Sequence, residues 1–149
     1  MKSIIKFLPT IDAPADTKLP ERGTKFSAGY DFYAPCDIVI MPHAESELIK
    51  LNVKAIIPCD IVLKIYIRSS LAVKHNIGLV NSVGIIDSDY ASNNDNDGNI
   101  GVKFRNYSDK KVIIAKGERC AQGIFQRYYI TSDDAANGIR GGGYGSTGR

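Results

Sequence analysis

The chain has 149 residues, of which 44% are hydrophobic and 23% charged, and its formal net charge is +3. This length supplies the core of one domain and excludes a large multidomain enzyme. The 19 Lys and Arg residues nearly balance the 16 Asp and Glu residues and form no basic run, so we expect neither nucleic acid nor an anionic membrane surface as the partner.

The first ten residues contain one short apolar stretch, from Ile4 to Leu8, which Lys6 interrupts and Pro9 follows. A stretch of this length is neither a secretory signal nor a membrane span. We therefore expect a cytoplasmic protein, or one in the host-cell cytoplasm or nucleus if the source is a virus.

The predicted elements are short segments, rich in β-branched or alternating residues, that recur between turn residues. The predicted strands are 3–8, 38–41, 47–57, 61–67, 78–80, 100–104, 111–115 and 121–130. One helical segment is predicted at 69–75, where Ser69 or Ser70 caps a turn or two before Asn76 and Gly78 end it. The pattern is typical of an all-β domain.

The segment 61–67 has the clearest strand pattern. Leu63, Ile65 and Ile67 share one face, and Lys64 and Tyr66 share the other. This alternation predicts a half-buried strand.

The three cysteines, Cys36, Cys59 and Cys120, have no CxxC spacing, and only two histidines are present to complete a metal site. Zinc sites need closely spaced ligands, and disulfide frameworks need more cysteines than this chain has. We therefore predict ordinary thiols in a reducing compartment, at least two of them buried.

Residues 91–99, ASNNDNDGN, have no apolar member after Ala91, which predicts a solvated loop or the tip of a long hairpin. Asn93, Asp95 and Asp97 have a spacing that suggests calcium. However, the segment lacks the glycine at the sixth loop position and the distant glutamate of a helix-loop-helix calcium site. A polar hairpin extension is therefore favoured.

The C-terminal segment 140–149, RGGGYGSTGR, is half glycine and cannot form a core, so we predict one domain at 1–139 followed by a flexible lid at 140–149. Arg140, Ser146 and Thr147 are suitable phosphate ligands, and Tyr144 offers a flat surface for stacking. Because a passive linker rarely needs a guanidinium and a ring at fixed separation, we expect a ligand to order this segment.

Four internal segments carry further candidates. Arg68, Ser69 and Ser70 follow the strongest strand and are either a compact anion site or an exposed arginine beside a serine helix cap. Asp87 comes directly after an apolar run, where a carboxylate can hold a water as general base. The side chain of Asn81 carries a donor and an acceptor and could read a base edge or satisfy a turn. Asp31 and Gln122 lie in AGYD at 28–31 and KGERCAQ at 116–122.

Taken together, AGYD, RSS, Asn81 with GIIDSDY, KGERCAQ and the terminal GYGSTG resemble, in order and spacing, the five motifs of the homotrimeric dUTP pyrophosphatases (dUTPases). The resemblance runs from about Ala28 to the end of the chain. It implies a distorted jelly-roll β-barrel that hydrolyses dUTP to dUMP and pyrophosphate with Mg²⁺. It also implies a homotrimer in which each active site draws on three subunits.

The resemblance also implies residue roles. Asp87 activates the water that attacks the α-phosphorus, and Asp31 contacts Mg²⁺ through a water. The substrate-binding positions it implies are Arg68, Ser69, Ser70 and Gln122 for the phosphates; Asn81, Ile85, Ile86 and Gly101 for uracil; Tyr90 for the deoxyribose; and Arg140, Tyr144, Ser146 and Thr147 for a lid from a neighbouring subunit.

The chain departs from the family pattern at three places. Six residues, 92–97, are inserted after the third motif, and Ser70 stands where many members have glycine. In the tail, Tyr144 replaces the usual phenylalanine, and one residue is missing between Arg140 and this ring.

Two alternatives remain open. One is a dCTP deaminase, a relative of the same fold, which would need a glutamate placed to activate water at the cytosine ring. The other is a non-catalytic nucleotide sensor or partner-binding module that uses the acidic loop as its contact surface.

Overall fold

The computed structural model describes residues 4–145, which form a mostly β structure with one short α-helix. The strands are β1 (Lys6–Pro9), β2 (Glu21–Arg22), β3 (Tyr30–Tyr33), β4 (Ile38–Ile40), β5 (Ile49–Lys50), β6 (Val53–Ile56), β7 (Ile61–Ile67), β8 (Ile77–Leu79), β9 (Gly84–Ile86), β10 (Gly101–Val102), β11 (Phe104–Asn106), β12 (Val112–Ile114) and β13 (Arg119–Arg127). Helix α1 spans Ser69–His75, and a 3-10 turn spans Ser88–Ser92. No helix within 4–145 has the length and apolar character needed to cross a membrane. The all-β prediction is confirmed.

The largest sheet has five antiparallel strands in the order β2, β3, β13, β7 and β9. Its longest strand, β13, pairs with β3 on one side and with β7 on the other. The remaining strands form four antiparallel pairs: β1 with β6, β4 with β12, β5 with β10, and β8 with β11. The five-stranded sheet therefore brings side by side three parts of the chain that are far apart in sequence.

Strand β7 and helix α1 agree with the sequence prediction at both ends. Leu63 and Ile65 are at most 1% exposed, whereas Lys64 and Tyr66 on the other face are partly exposed. Helix α1 ends at Asn76, which adopts a left-handed conformation with φ 53°. Asparagine tolerates this conformation and so ends helices, which explains why the predicted stop is correct.

The prediction of a single strand at 47–57 is wrong, because β5 and β6 are separate. Asn52 lies between them with φ 61°, in the left-handed region that interrupts a strand. The segment 100–104 is likewise divided, between β10 and β11. Strands β2 and β3 are not predicted, since they are short and contain charged residues, which are depleted in strands. The apolar run before Asp87, interpreted as a buried strand, contains β9, which is partly exposed.

The predicted solvated loop at 91–99 is wrong for part of its length, because three of its nine residues are buried. Asn93 and Asn99 are only 4% and 8% exposed. Asp97 forms a 2.7 Å ion pair with Lys54 of β6. The segment is therefore folded against the body of the domain, because its amide and carboxylate groups find partners there.

The prediction that at least two cysteines are buried is also wrong. Cys120, in β13, is fully buried, but Cys36 and Cys59 are exposed, and all three are free thiols. Burial raises the pKa of the Cys120 thiol to about 12. The buried thiol is therefore the protonated, unreactive one at neutral pH.

Candidate active site

One group of polar side chains, which we call the Asp31 cluster, consists of Asp31, Arg68, Arg119 and Gln122 and lies in the five-stranded sheet. Strand pairing places Asp31 beside Gln122 and Gln122 beside Tyr66, two residues before Arg68. One oxygen of Asp31 lies 2.9 Å from Nε of Arg68, and the other lies 3.7 Å from Nη1 of Arg119. Asp31 is 8% exposed. The cluster therefore holds a buried carboxylate between two guanidinium groups.

Gln122 is fixed by contacts on two sides. Its side-chain Nε2 donates to the carbonyl of Ile67 at 3.2 Å. A Cβ placed on Gly29 would lie 2.7 Å from Oε1 of Gln122. Glycine at 29 therefore lets the backbone pass close to this amide, and a larger residue would displace it.

Ser69 and Ser70 begin helix α1 with exposed side chains. Arg68 is the last extended residue, with ψ 143°, and its carbonyl accepts bonds from the N–H groups of Leu71 and Ala72, both at 3.1 Å. Arg68, Ser69 and Ser70 thus lie where β7 ends and helix α1 begins, which is the position that the sequence predicts for an anion site.

A cleft of about 580 Å³ opens beside the Asp31 cluster. Its charged lining residues are Lys18, Arg68, Lys74, Arg119 and Glu118. Four cations against one carboxylate suit a polyanion such as a triphosphate. Lys18 and Lys74 were not singled out from the sequence, although Lys74 lies four residues after Ser70 and so shares its face of the predicted helix.

A second group, which we call the Asp87 cluster, consists of Asp87, Asp89 and Arg140. Nη2 of Arg140 lies 2.6 Å from Oδ2 of Asp87, and Nε lies 2.7 Å from Oδ1 of Asp89. The arginine side chain is 13% exposed, whereas the carboxylates are 51% and 53% exposed. The tail therefore reaches the third motif through a charge-assisted contact that the sequence analysis did not foresee.

Tyr90 is buried beside this cluster. Its hydroxyl donates to the carbonyl of Asn99 and accepts from Nδ2 of Asn96, both at 2.9 Å. The guanidinium of Arg140 lies 5.8 Å from the centre of the Tyr90 ring. The ring is therefore held at its hydroxyl end and lies beside the lid arginine.

Tyr144, in the tail, lies against Gly101 and Tyr90. Its hydroxyl lies against the backbone of Gly101, and burial, together with the nearby Tyr90, raises the pKa of Tyr144. A Cβ on Gly101 would collide with this hydroxyl. The tail thus contacts two residues predicted to bind the sugar and the base.

The remaining uracil candidates gather around β9. Asn81 lies in the exposed turn before this strand, and Ile85 and Ile86 lie within it, exposed and partly exposed respectively. Strand β9 is at the edge of the five-stranded sheet. An edge strand presents backbone donors and acceptors, which suits it to recognising a base edge.

The Asp31 and Asp87 clusters lie at opposite ends of β7. The antiparallel register pairs Leu63 with Ile86, so Asp87 comes beside Val62, six residues before Arg68. At the rise of a β-strand this separation is about 20 Å. Within one chain, the structure therefore does not bring Arg68 and Asp87 together.

The described part of the tail, 140–145, contacts the third motif of its own chain. The prediction that Arg140 and Tyr144 reach a neighbouring subunit stays a prediction. Ser146 and Thr147 lie outside the described residues.

Residues 4–145 contain no group of three or more His, Cys, Asp or Glu side chains that could hold a metal ion. Asp31 offers one carboxylate at the edge of a cation-lined cleft. Mg²⁺ keeps several waters and often uses one or two carboxylates together with substrate phosphates. One carboxylate therefore fits a Mg²⁺ ion whose other ligands are mainly substrate phosphates and waters.

The chain is similar to known proteins of one family. The dUTPase family model matches residues 15–143. Deoxyuridine 5'-triphosphate nucleotidohydrolase of Lactococcus lactis is 41% identical over 136 residues, which cover 90% of each chain. The rat protein of the same name is 36% identical over 137 residues, covering 87% of this chain and 62% of the rat sequence.

Solved structures show the same fold. A dUTPase from Streptococcus mutans superposes with a TM-score of 0.78 at 35% identity and covers 85% of this chain and 98% of that chain. A dUTPase from phage phi11 of S. aureus, 18% identical, superposes with a TM-score of 0.72 over 92% of this chain and 99% of that chain. The predicted jelly-roll-like architecture is thereby confirmed, and the chain belongs to the dUTPase family.

Proposed function

We propose that this chain hydrolyses dUTP to dUMP and pyrophosphate in active sites that its copies share within a homotrimer. The observation that carries this proposal is the separation of the two clusters. Arg68 and Asp87 stand about 20 Å apart in one chain at the rise of a β-strand, yet both must reach one triphosphate. Copies of the chain that place the Asp31 cluster of one against the Asp87 cluster of another would supply both.

The chemical step needs one base. The Asp87 carboxylate takes a proton from a water, whose oxygen bonds to the α-phosphorus while the bond to the bridging α–β oxygen breaks and pyrophosphate leaves. Such attack depends on positioning and on neutralised charge rather than on a covalent intermediate. Asp87 is half exposed at the start of a 3-10 turn, which leaves its carboxylate accessible to water.

The phosphate chain would lie in the cleft beside the Asp31 cluster. Arg68, Ser69, Ser70 and Gln122 would bind the phosphates there. Mg²⁺, held by the phosphates and through a water by Asp31, would neutralise triphosphate charge. The phage phi11 dUTPase structure includes a coordinated structural Mg(II) ion, which shows a metal in that protein.

Uracil would be recognised at β9. The backbone of Ile85, Ile86 and Gly101 and the side chain of Asn81 would present a fixed donor and acceptor pattern. Cytosine would leave buried polar groups unpaired, and kcat/KM for dCTP would therefore be roughly 10⁴-fold lower than for dUTP. Thymine would be refused because its methyl group has no room.

The sugar and the lid complete the site. The ring of Tyr90 would pack under the deoxyribose and leave no space for a 2′-hydroxyl. The lid residues Arg140, Tyr144, Ser146 and Thr147 would close over the nucleotide. Stacking of Tyr144 on uracil would contribute about 1–3 kcal/mol of binding free energy. The segment 140–149 would then act as a lid on the domain 1–139.

One assay separates this function from the alternatives. Pyrophosphate release is measured with dUTP and with each of the four standard deoxynucleoside triphosphates, together with ammonia release from dCTP. We expect pyrophosphate from dUTP alone. Ammonia from dCTP would indicate a deaminase, and binding without turnover would indicate a sensor. Sedimentation that gives a monomer at assay concentration would contradict the shared site.

A further inference from the structure

The inserted segment 92–97 is tied to the domain at several points. Asn93 accepts bonds at its side-chain oxygen from the N–H groups of Asp95 and Asn96, at 3.1 and 3.2 Å. Asp97 accepts from Nζ of Lys54 and from the N–H of Ile11, both at 2.7 Å. Asn93 therefore folds the insertion on itself, and Asp97 anchors it to the domain.

Asn96 places its amide group on the Tyr90 hydroxyl. Oδ1 of Asn96 accepts from the N–H of Gly98 at 3.1 Å, which orients the amide so that Nδ2 faces the phenol oxygen at 2.9 Å. The same hydroxyl donates to the Asn99 carbonyl at 2.9 Å. With donor and acceptor both in use, the far end of the ring is fixed in two directions.

We propose that Asn96 is a positioning residue for Tyr90 and that this contact sets how strictly the enzyme refuses ribonucleotides. The inference rests on the proposed function, in which the Tyr90 ring excludes the 2′-hydroxyl by occupying its space. Steric exclusion is only as strict as the ring is immobile, since a ring that yields admits the larger sugar. The insertion that departs from the family pattern thus gains a role in substrate choice.

The tail supports the same pair of side chains. A Cβ on Gly143 would lie 3.1 Å from Cε2 of Tyr90 and 3.3 Å from Nδ2 of Asn96. The backbone at 143 therefore rests directly on both groups. The ring is held at its hydroxyl by the insertion and along its edge by the lid.

The test compares Asn96→Ala with Asn94→Ala. The side chain of Asn94 is exposed in the same segment and makes no hydrogen bond within residues 4–145, so it is a matched control. The ratio of kcat/KM for dUTP to that for UTP is measured for each variant. We expect Asn96→Ala to lower this ratio about fivefold to tenfold, the range expected for one lost hydrogen bond, mainly by raising the UTP rate. Asn94→Ala should keep the wild-type ratio.

Two further variants distinguish positioning from general stability. Asn96→Asp keeps the size of the side chain but lacks the N–H donor, so it should lower the ratio as Asn96→Ala does. Tyr90→Phe removes the hydroxyl through which Asn96 acts, so adding Asn96→Ala to it should change the ratio no further.

The inference is overturned if Asn96→Ala keeps the wild-type ratio, including the case in which it lowers kcat/KM for dUTP and for UTP by the same factor. It is also overturned if Asn96→Ala lowers the ratio further in the Tyr90→Phe background. The wild-type rate on dUTP tests the proposed function separately. If the wild-type enzyme hydrolyses dUTP but Asn96→Ala keeps the wild-type ratio, only the role of Asn96 is contradicted.

Discussion

The two carboxylate–guanidinium clusters differ in how the fold supports them. In the Asp31 cluster, Asp31 is buried in a strand and Arg68 directly follows one, so the sheet itself holds both partners. In the Asp87 cluster, the carboxylates are half exposed in a turn, and Arg140 arrives on a glycine-rich tail. The first pairing is therefore part of the folded core, whereas the second can be exchanged for other partners.

This difference suits different tasks. A permanently placed guanidinium binds phosphate without reorganisation at the moment of reaction. A tail contact must be released and formed again with each substrate, because a lid has to open for entry and close for chemistry. We expect substitutions in the Asp31 cluster to affect both folding and binding, and substitutions in the Asp87 cluster to affect turnover while the fold persists.

The largest effect is expected from Asp87→Asn. The amide cannot take a proton from water, so kcat for dUTP should fall about 10²–10⁴-fold, while affinity for a nonhydrolysable uridine analogue and the melting temperature stay near wild type. Asp89→Asn is the matched control, because Asp89 shares Arg140 with Asp87 without serving as the base. Equal losses of kcat in the two variants would remove Asp87 from its role.

Deletion of residues 140–149 should have the next largest effect. Without the lid, water enters the site and the triphosphate loses ligands, so kcat/KM should fall at least about 10²-fold. The truncated chain should keep its sedimentation coefficient and circular dichroism spectrum, because no strand lies in the deleted part of the described chain. Normal turnover of dUTP by the truncated protein would contradict the lid.

Asp31→Asn tests the cluster that the sheet holds in place. Loss of the carboxylate leaves two guanidinium groups without their partner, and we expect about 1–3 kcal/mol of lost stability together with a raised KM for dUTP. Denaturant unfolding at fixed protein concentration measures the first effect, and steady-state kinetics measures the second. Asp16→Asn, at an exposed ion pair with Lys116, is the control and should change neither. A wild-type free energy of unfolding for Asp31→Asn would contradict this account, because the Asp31 cluster would then contribute no more to the fold than the Asp87 cluster.

The smallest effect is expected from Asp97→Asn. The hydrogen bond from Lys54, with that from the Ile11 backbone, lowers the pKa of Asp97. A carboxylate whose pKa is lower in the folded state stabilises the fold above its unfolded pKa, and this stability is lost as the pH falls through the folded pKa. The variant should therefore be less stable at pH 7 by about 0.5–1 kcal/mol. The difference should vanish in strong acid; a constant difference at all pH values would contradict this account.

A structural feature could be predicted from the sequence where the contacts that determine it are local in the chain. The alternation in 61–67 and the stop at Asn76 depend on neighbouring residues, and both predictions are confirmed. The partner of Asp97 is 43 residues away, at Lys54, and no local pattern signals it. The polar composition of 91–99 therefore predicted a solvated loop where a folded one exists.

The site residues also differ in whether the sequence could predict their contacts. Motif order pointed to Asp31, Arg68 and Gln122, and strand pairing brings these three together. The contact of Arg140 with Asp87 spans 53 residues and depends on the path of a tail with few local constraints. Its partners could not be derived from composition.

The position of β13 has a consequence for how the protein folds. This strand comes last in the chain but lies between β3 and β7 in the sheet. During synthesis, therefore, neither of its neighbours can complete its pairing until residues 119–127 have left the ribosome. Pairings of such long sequence separation make folding slow, and the unpaired edges of β3 and β7 are exposed to aggregation in the interval. A nascent chain that stops short of residue 127 would be a target for chaperones, whereas one that stops at 139 would already contain the whole sheet.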